Sequence, residues 1–208
     1  MTGKFITFEG GEGTGKSTQA RLLASHLEQS GRKVVLTREP GGARGAEEIR
    51  DLLVKGEPDR WSPMAEALLF NAARVEHWRQ TIEPALRSGA HVVCDRFADS
   101  TMAYQGYVGA LTRETMAQLH RLALGDARPD LTLVLDMPAN AGLARAAGRR
   151  DVENRFEKKG EAYHAKLREA FLDIARREPN RCVVIDASRA MDQIHSEVLH
   201  AVHSRLGI

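Results

Sequence analysis

Cysteine is scarce in this chain. Cys94 and Cys182 are the only two among 208 residues, and both sit in apolar runs without zinc-ligand spacing. That excludes a disulfide framework or a zinc module and reads both as reduced core residues. Charge of one sign is also lacking: 30 basic against 28 acidic residues leave a formal net charge of +2. Such a balance gives no footing for nucleic acid, so any basic surface is local, as in a pocket for phosphates. No run approaches the ~20 apolar residues that span a bilayer, so no membrane partner is expected. Met1–Phe5 begins no apolar signal-peptide stretch. With 42% hydrophobic and 28% charged residues, the expectation is a cytoplasmic enzyme forming a single domain over residues 1–208.

Short, nearly continuous Val/Ile/Leu runs are present at Phe5–Phe8, Lys33–Leu36, His91–Cys94, Leu131–Leu135 and Cys182–Ile185. They read as buried parallel strands with helices over both faces. Helical patterns alternate with them. Ser17–Gln29 ends near Gly31, and a long segment carries Leu68, Ala72, Val75, Ile82 and Leu86, with Pro84 set to kink or restart it. Tyr163, Leu167, Phe171 and Ile174 mark another helix, and Ile194, Val198, Val202 and Leu206 the last. The alternation predicts an open, doubly wound five-stranded α/β domain, whose chemistry lies in loops at the carboxyl ends of the strands.

Gly10-Gly11-Glu12-Gly13-Thr14-Gly15-Lys16-Ser17 fits the phosphate-loop pattern G-x-x-x-x-G-K-[ST], with a strand before it and a helix after. Glycines bring backbone N–H groups close to phosphate, and the helix N-terminus adds positive potential. Lys16 would face the β/γ-phosphates of a donor and Ser17 would ligate Mg²⁺. Glu12 is out of place beside a triphosphate. It faces either a sugar hydroxyl of a second ligand or solvent.

Other segments carry two readings each. Arg38, in Arg38-Glu39-Pro40-Gly41-Gly42, reaches an anionic acceptor or makes a surface ion pair. Asp95 could hold Mg²⁺ or orient an acceptor, and Arg96 could bind its phosphate; the pair could equally be structural. Phe70 and Arg74 share a helix face, suited either to a base or to core and surface. Ser100 to Gly106 offers neutral hydrogen-bonding groups for a base or sugar, or forms a turn. The charged stretch Gly148–Gly160 is a solvated loop or a lid carrying arginines. One loop lysine is little charge for phosphoryl transfer, which favours the lid.

The ordered set of these motifs, including Leu69–Arg74 and Asp95-Arg96-Phe97, resembles the thymidylate kinases of the nucleoside monophosphate kinase group along nearly the whole chain. The resemblance implies transfer of the ATP γ-phosphate to dTMP, giving dTDP on the way to dTTP, with Mg²⁺ as cofactor and a homodimer as the assembly. Gly10, Gly11, Glu12, Gly13, Thr14, Gly15, Lys16, Ser17 and Thr18 would form the ATP site, with Ser17 and Asp95 at the metal. Arg38 and Arg96 would hold the dTMP phosphate. Phe70 would stack on thymine, Arg74 would bond its carbonyl, and Thr101 and Gln105 would contact the base, with Ser100 nearby. Tyr104 would crowd the 2′ position and Glu12 would meet the 3′-hydroxyl. Lys16, Asp95, Arg96 and a lid arginine would carry the chemistry. Because this phosphate loop lacks an arginine, the bacterial subtype is implied, with Arg149, Arg150 and Arg155 as candidates and Arg150 the favoured one. Phe97 stands where Tyr or His is frequent. The alternatives are a kinase for another nucleoside monophosphate or a deoxynucleoside, or a P-loop ATPase or switch acting on a protein.

Overall fold

The apolar runs become β1 (Phe5–Glu9), β2 (Val34–Arg38), β3 (His91–Asp95), β4 (Leu131–Asp136) and β5 (Cys182–Asp186). A computed structural model of the chain describes residues 3–147, 155–156 and 159–208. The strands pair in parallel in one sheet of order β2-β3-β1-β4-β5. Each strand runs past the apolar stretch read from the sequence and ends on a charged residue: Glu9, Arg38, Asp95, Asp136 or Asp186. The hydrophobic pattern stops before the backbone pairing does, because the strand ends leave the core for the carboxyl edge of the sheet.

Side chains alternate between the two faces. Ile6, Phe8, Leu131, Leu133 and Ile185 pack against α1 (Lys16–Gln29) and α9 (Met191–Leu206). On the other face Phe5, Val92 and Cys94 meet Ile82 and Phe97, while Val134 and Cys182 meet α8 (Glu161–Arg177). Helices thus cover both faces, and the three inner strands are the most buried. Cys94 and Cys182 are buried free thiols, pushed up in pKa by that burial. Helix α1 buries Ala20, Leu23, Ala24 and Leu27, and the chain turns away at Gly31, whose φ of 77° suits glycine.

After α2 (Arg44–Val54), helix α3 (Pro63–His77) passes through a π-helical turn, Trp78–Ile82, into α4 (Glu83–Arg87). Pro84 falls in the first turn of α4, directly after the π-helical turn. The inward face of α3 is not the apolar stripe read from the sequence. Leu68 is 51% exposed, whereas Glu66, Asn71, Arg74 and His77 are buried. The reason is that α3 turns a polar face onto a cavity. The remaining helices are α5 (Ala98–Thr101), which continues as a π-helical turn over Met102–Tyr107, then α6 (Arg113–Leu124) and α7 (Ala139–Ala147).

Candidate active site

The loop between β1 and α1 has three glycines in conformations that favour them, Gly10, Gly13 and Gly15. Gly10 has φ 131° and Gly13 φ 70°. A Cβ on Gly10 would come 2.3 Å from the Leu135 carbonyl oxygen, and one on Gly13 1.9 Å from that of Gly142. Among the described residues no side chain caps the N-terminus of α1, which leaves its first N–H groups open to an anion. Thr18 lies in the first turn, its N–H bonded to the Gly15 carbonyl at 3.1 Å. Lys16 is buried, and its Nζ donates to the Gly11 carbonyl at 2.5 Å and to Thr14 Oγ1 at 3.4 Å. Burial pushes its pKa down, Arg96 adds to this, and Glu12, Asp95 and Glu9 oppose it, leaving it at about 8.

Two expected metal ligands meet here: Ser17 Oγ donates to Asp95 Oδ2. The other oxygen, Asp95 Oδ1, is buried with no hydrogen-bond partner among the described residues. A hydroxyl and a carboxylate with a spare oxygen form a hard donor set that fits Mg²⁺, an ion usually held by one or two protein oxygens plus phosphate.

Arg96 follows β3 with φ 72°, rare for a residue with a side chain. Its N–H donates to the Phe8 carbonyl at 2.9 Å, tying it to β1. Its guanidinium reaches the Gly10 carbonyl at 3.1 Å, Ser100 Oγ at 3.0 Å, Glu12 Oε1 at 2.8 Å and Tyr104 Oη at 3.2 Å. Tyr104 Oη also donates to Glu12 Oε1 at 2.6 Å. Burial would raise the Glu12 carboxyl, but Arg96, Lys16 and the Tyr104 hydroxyl outweigh it and hold it at about 2. The carboxylate therefore bridges the phosphate loop and the next compartment.

That compartment is a cavity open to solvent. Glu12, Phe70, Arg74, Arg96, Ser100, Thr101, Tyr104 and Gln105 line it, so every expected acceptor-side residue is brought together except Arg38. Arg38 stands at the end of β2, half exposed and paired with Glu47 at 3.1 Å. Arg74 is buried, against the alternative that put it at the surface. Its Nε donates to Glu39 Oε2 at 2.7 Å, and Nη2 donates to Thr101 Oγ1 at 2.7 Å and the Phe97 carbonyl at 3.2 Å. Gln105 Nε2 donates to Glu66 Oε2 at 2.6 Å, while its Oε1 is buried without a partner among the described residues. Phe97 is a core residue packed on Phe5 and Trp78.

A model of the thymidylate kinase family matches residues 8–198. The chain belongs to the thymidylate kinase family. It is 54% identical to a thymidylate kinase of Caulobacter vibrioides over 206 residues, covering 99% of each. It is 53% identical to one of Ruegeria pomeroyi, with 99% of this chain and 97% of that one covered. A crystal structure of the thymidylate kinase of Ehrlichia chaffeensis superposes with a TM-score of 0.78 at 36% identity, covering 97% of this chain and 99% of the other.

Within this thymidylate kinase fold, several site residues escaped the sequence reading. Glu9 ends β1 fully buried and accepts from Phe97 N at 2.8 Å, Ser100 N at 3.3 Å and Ser100 Oγ at 2.6 Å. Burial, aided by Asp99, raises its pKa to about 7 against Arg96, Ser100 and Phe97. Its signal was a carboxylate closing an otherwise apolar strand. Glu39 pairs Arg74 and contacts His77 Nδ1 at 3.1 Å. Phe156 lines the cavity, its ring 5.3 Å from that of Tyr104 and 6.2 Å from that of Phe70. Arg149 and Arg150 lie outside the described residues. Arg155 does not serve as a free lid cation in this structure: it is 1% exposed and committed to carbonyl groups and Glu66.

Proposed function

We propose that the chain is an ATP-dependent dTMP kinase that binds ATP on the phosphate loop and dTMP in the adjoining cavity. One observation carries this reading: Glu12 and Arg96 join a phosphate loop to a cavity whose far wall is built for a base. Thymine presents an N3–H donor between two carbonyl acceptors. The partnerless Gln105 Oε1 supports a bond to that donor, and the buried Arg74 guanidinium supports one to a carbonyl. Phe70 supplies a stacking surface. Tyr104, fixed on Glu12, narrows the sugar end and favours deoxyribose, and Glu12 receives the 3′-hydroxyl.

Lys16 and Arg96 neutralise charge on the transferred and acceptor phosphates, and Arg150 adds the cation that the phosphate loop lacks. Ser17 and Asp95 hold Mg²⁺, which when bound draws charge from the donor phosphates. The chain's own work is positioning and electrostatic stabilisation, so no strong general base is required. We place the enzyme in the cytoplasm; among the described residues no helix is long and apolar enough to cross a membrane. A homodimer is supported by exposed apolar Leu52, Met64, Leu68 and Leu122 on the neighbouring α2, α3 and α6.

Initial rates with dTMP, dUMP, CMP, AMP and thymidine test the reading. dTMP is expected to give the highest kcat/KM. A better acceptor among the others would refute it, and steady ATP hydrolysis without any acceptor would favour a switch protein.

A further inference from the structure

The acceptor cavity holds a glutamine whose amide can be turned either way. An amide presents a donor on one side and an acceptor on the other, so its orientation decides which bases it accepts. Gln105 Nε2 is directed at Glu66 Oε2, 2.6 Å away, which leaves Oε1 as an acceptor without a partner among the described residues. Glu66 is 7% exposed and takes Gln105 on one oxygen and Arg155 on the other, at 2.5 Å. Both Glu66 oxygens are thus engaged as acceptors, and the Arg155 contact fixes the orientation of the carboxylate.

Arg155 in turn is fixed by backbone. Its Nη1 donates to the Leu53 carbonyl at 3.1 Å, Nε to Glu57 at 2.9 Å and Nη2 to Pro58 at 3.0 Å. These carbonyls lie at the end of α2 and just beyond it, where helical carbonyls lack intrahelical donors. Five guanidinium donors in a planar fork suit three carbonyls and a carboxylate; an ammonium could not span them all.

We propose that Arg155 and Glu66 are specificity-determining positioning residues, which together hold the Gln105 amide so that it accepts a hydrogen bond from the acceptor base. Neither residue need touch the nucleotide. The base class selected is one with a ring N–H at the pairing edge, thymine or uracil. Cytosine, with a lone pair at that nitrogen, would face the Gln105 oxygen and be rejected. This inference rests on the reading of the cavity as the dTMP site.

The test uses the full-length protein and the variants Glu66→Gln, Arg155→Ala and Arg155→Lys, with kcat and KM measured for dTMP, dUMP, dCMP and ATP. A neutral residue 66, or a Glu66 no longer held by Arg155, does not fix the amide, so Glu66→Gln and Arg155→Ala should raise the dTMP KM about tenfold, the size of one displaced hydrogen bond. The dTMP-to-dCMP ratio of kcat/KM should fall by a similar factor. The dTMP-to-dUMP ratio and the ATP KM should stay within about twofold, because neither depends on the amide. Arg155→Lys, which keeps a charge beside Glu66, should recover part of the selectivity and remain the informative variant if Arg155→Ala does not fold. Loss of all activities in parallel, with the dTMP-to-dCMP ratio unchanged, would overturn the proposal and leave Arg155 a purely structural brace. A wild-type protein inactive on dTMP would sink the functional reading and this inference with it, whereas an active wild type whose variants keep the wild-type dTMP-to-dCMP ratio sinks the inference alone.

Discussion

The buried Lys16 should give the enzyme an alkaline limit that belongs to ATP capture rather than to turnover. Its Nζ rests on the Gly11 carbonyl and the Thr14 hydroxyl. Burial, reinforced by Arg96, lowers its pKa from 10.5 to about 8. At ~1.4 kcal/mol per unit, the native fold disfavours the lysine charge by about 3 kcal/mol. The sign follows: the folded pKa lies below the unfolded one, so the free protein is penalised while the lysine is charged and relieved as pH rises through about 8. A bound triphosphate restores the charged form. ATP binding near pH 8 therefore takes up a proton, and kcat/KM for ATP, which reports the free enzyme, should fall about tenfold per pH unit above 8. The kcat, which reports the occupied site, should hold level for a further unit or more. Direct chromatographic measurement of dTDP between pH 6.5 and 9.5 avoids a coupling enzyme with its own pH limit. Lys16→Arg, charged throughout this range, should lose the limb whatever its absolute rate. A level kcat/KM up to pH 9.5, or a limb that persists in Lys16→Arg, would refute the reasoning.

Two further predictions concern the same loop. Glu12 is held at about 2 against burial, by Arg96, Lys16 and Tyr104, so its native pKa lies below the unfolded 4.5 and its contribution is present above pH 4.5 and lost as pH falls through about 2. Urea unfolding should place Glu12→Gln about 3 kcal/mol below wild type at pH 7, with the gap closing towards pH 2, and a gap independent of pH would contradict the charge argument. For Gly13→Ala, the left-handed backbone costs about 1–2 kcal/mol and the new Cβ meets the Gly142 carbonyl oxygen at 1.9 Å. The loop must shift, so calorimetry should show ATP affinity at least about tenfold weaker, with a lowered melting temperature; wild-type values for both would mean that the loop does not depend on this approach.

How much of this was legible in the sequence depends on how far apart the partners lie. The sheet was readable because a buried parallel strand is a local apolar run, and the phosphate loop because its eight residues are contiguous. The acceptor residues were readable only as an ordered set of short motifs. The residues that hold them in place were not. Glu39 meets Arg74 across 35 positions, Glu66 meets Gln105 across 39, and Glu9 meets Ser100 across 91. None of these carboxylates lies at a spacing that marks a function, and each becomes meaningful only once the chain has folded. Helix α3 shows the same thing from the opposite side. Its apolar residues recur at helical spacing from Leu68, yet Leu68 is exposed and Glu66, Asn71, Arg74 and His77 are buried. A base-binding cavity inside an α/β fold needs polar groups where a core would have apolar ones. Every such group needs a partner of opposite character to offset its desolvation. The binding residues and their buried carboxylates therefore arise together. A reading tuned to ligand contacts finds the first and passes over the second, and the second decides whether an arginine or an amide points at the nucleotide at all.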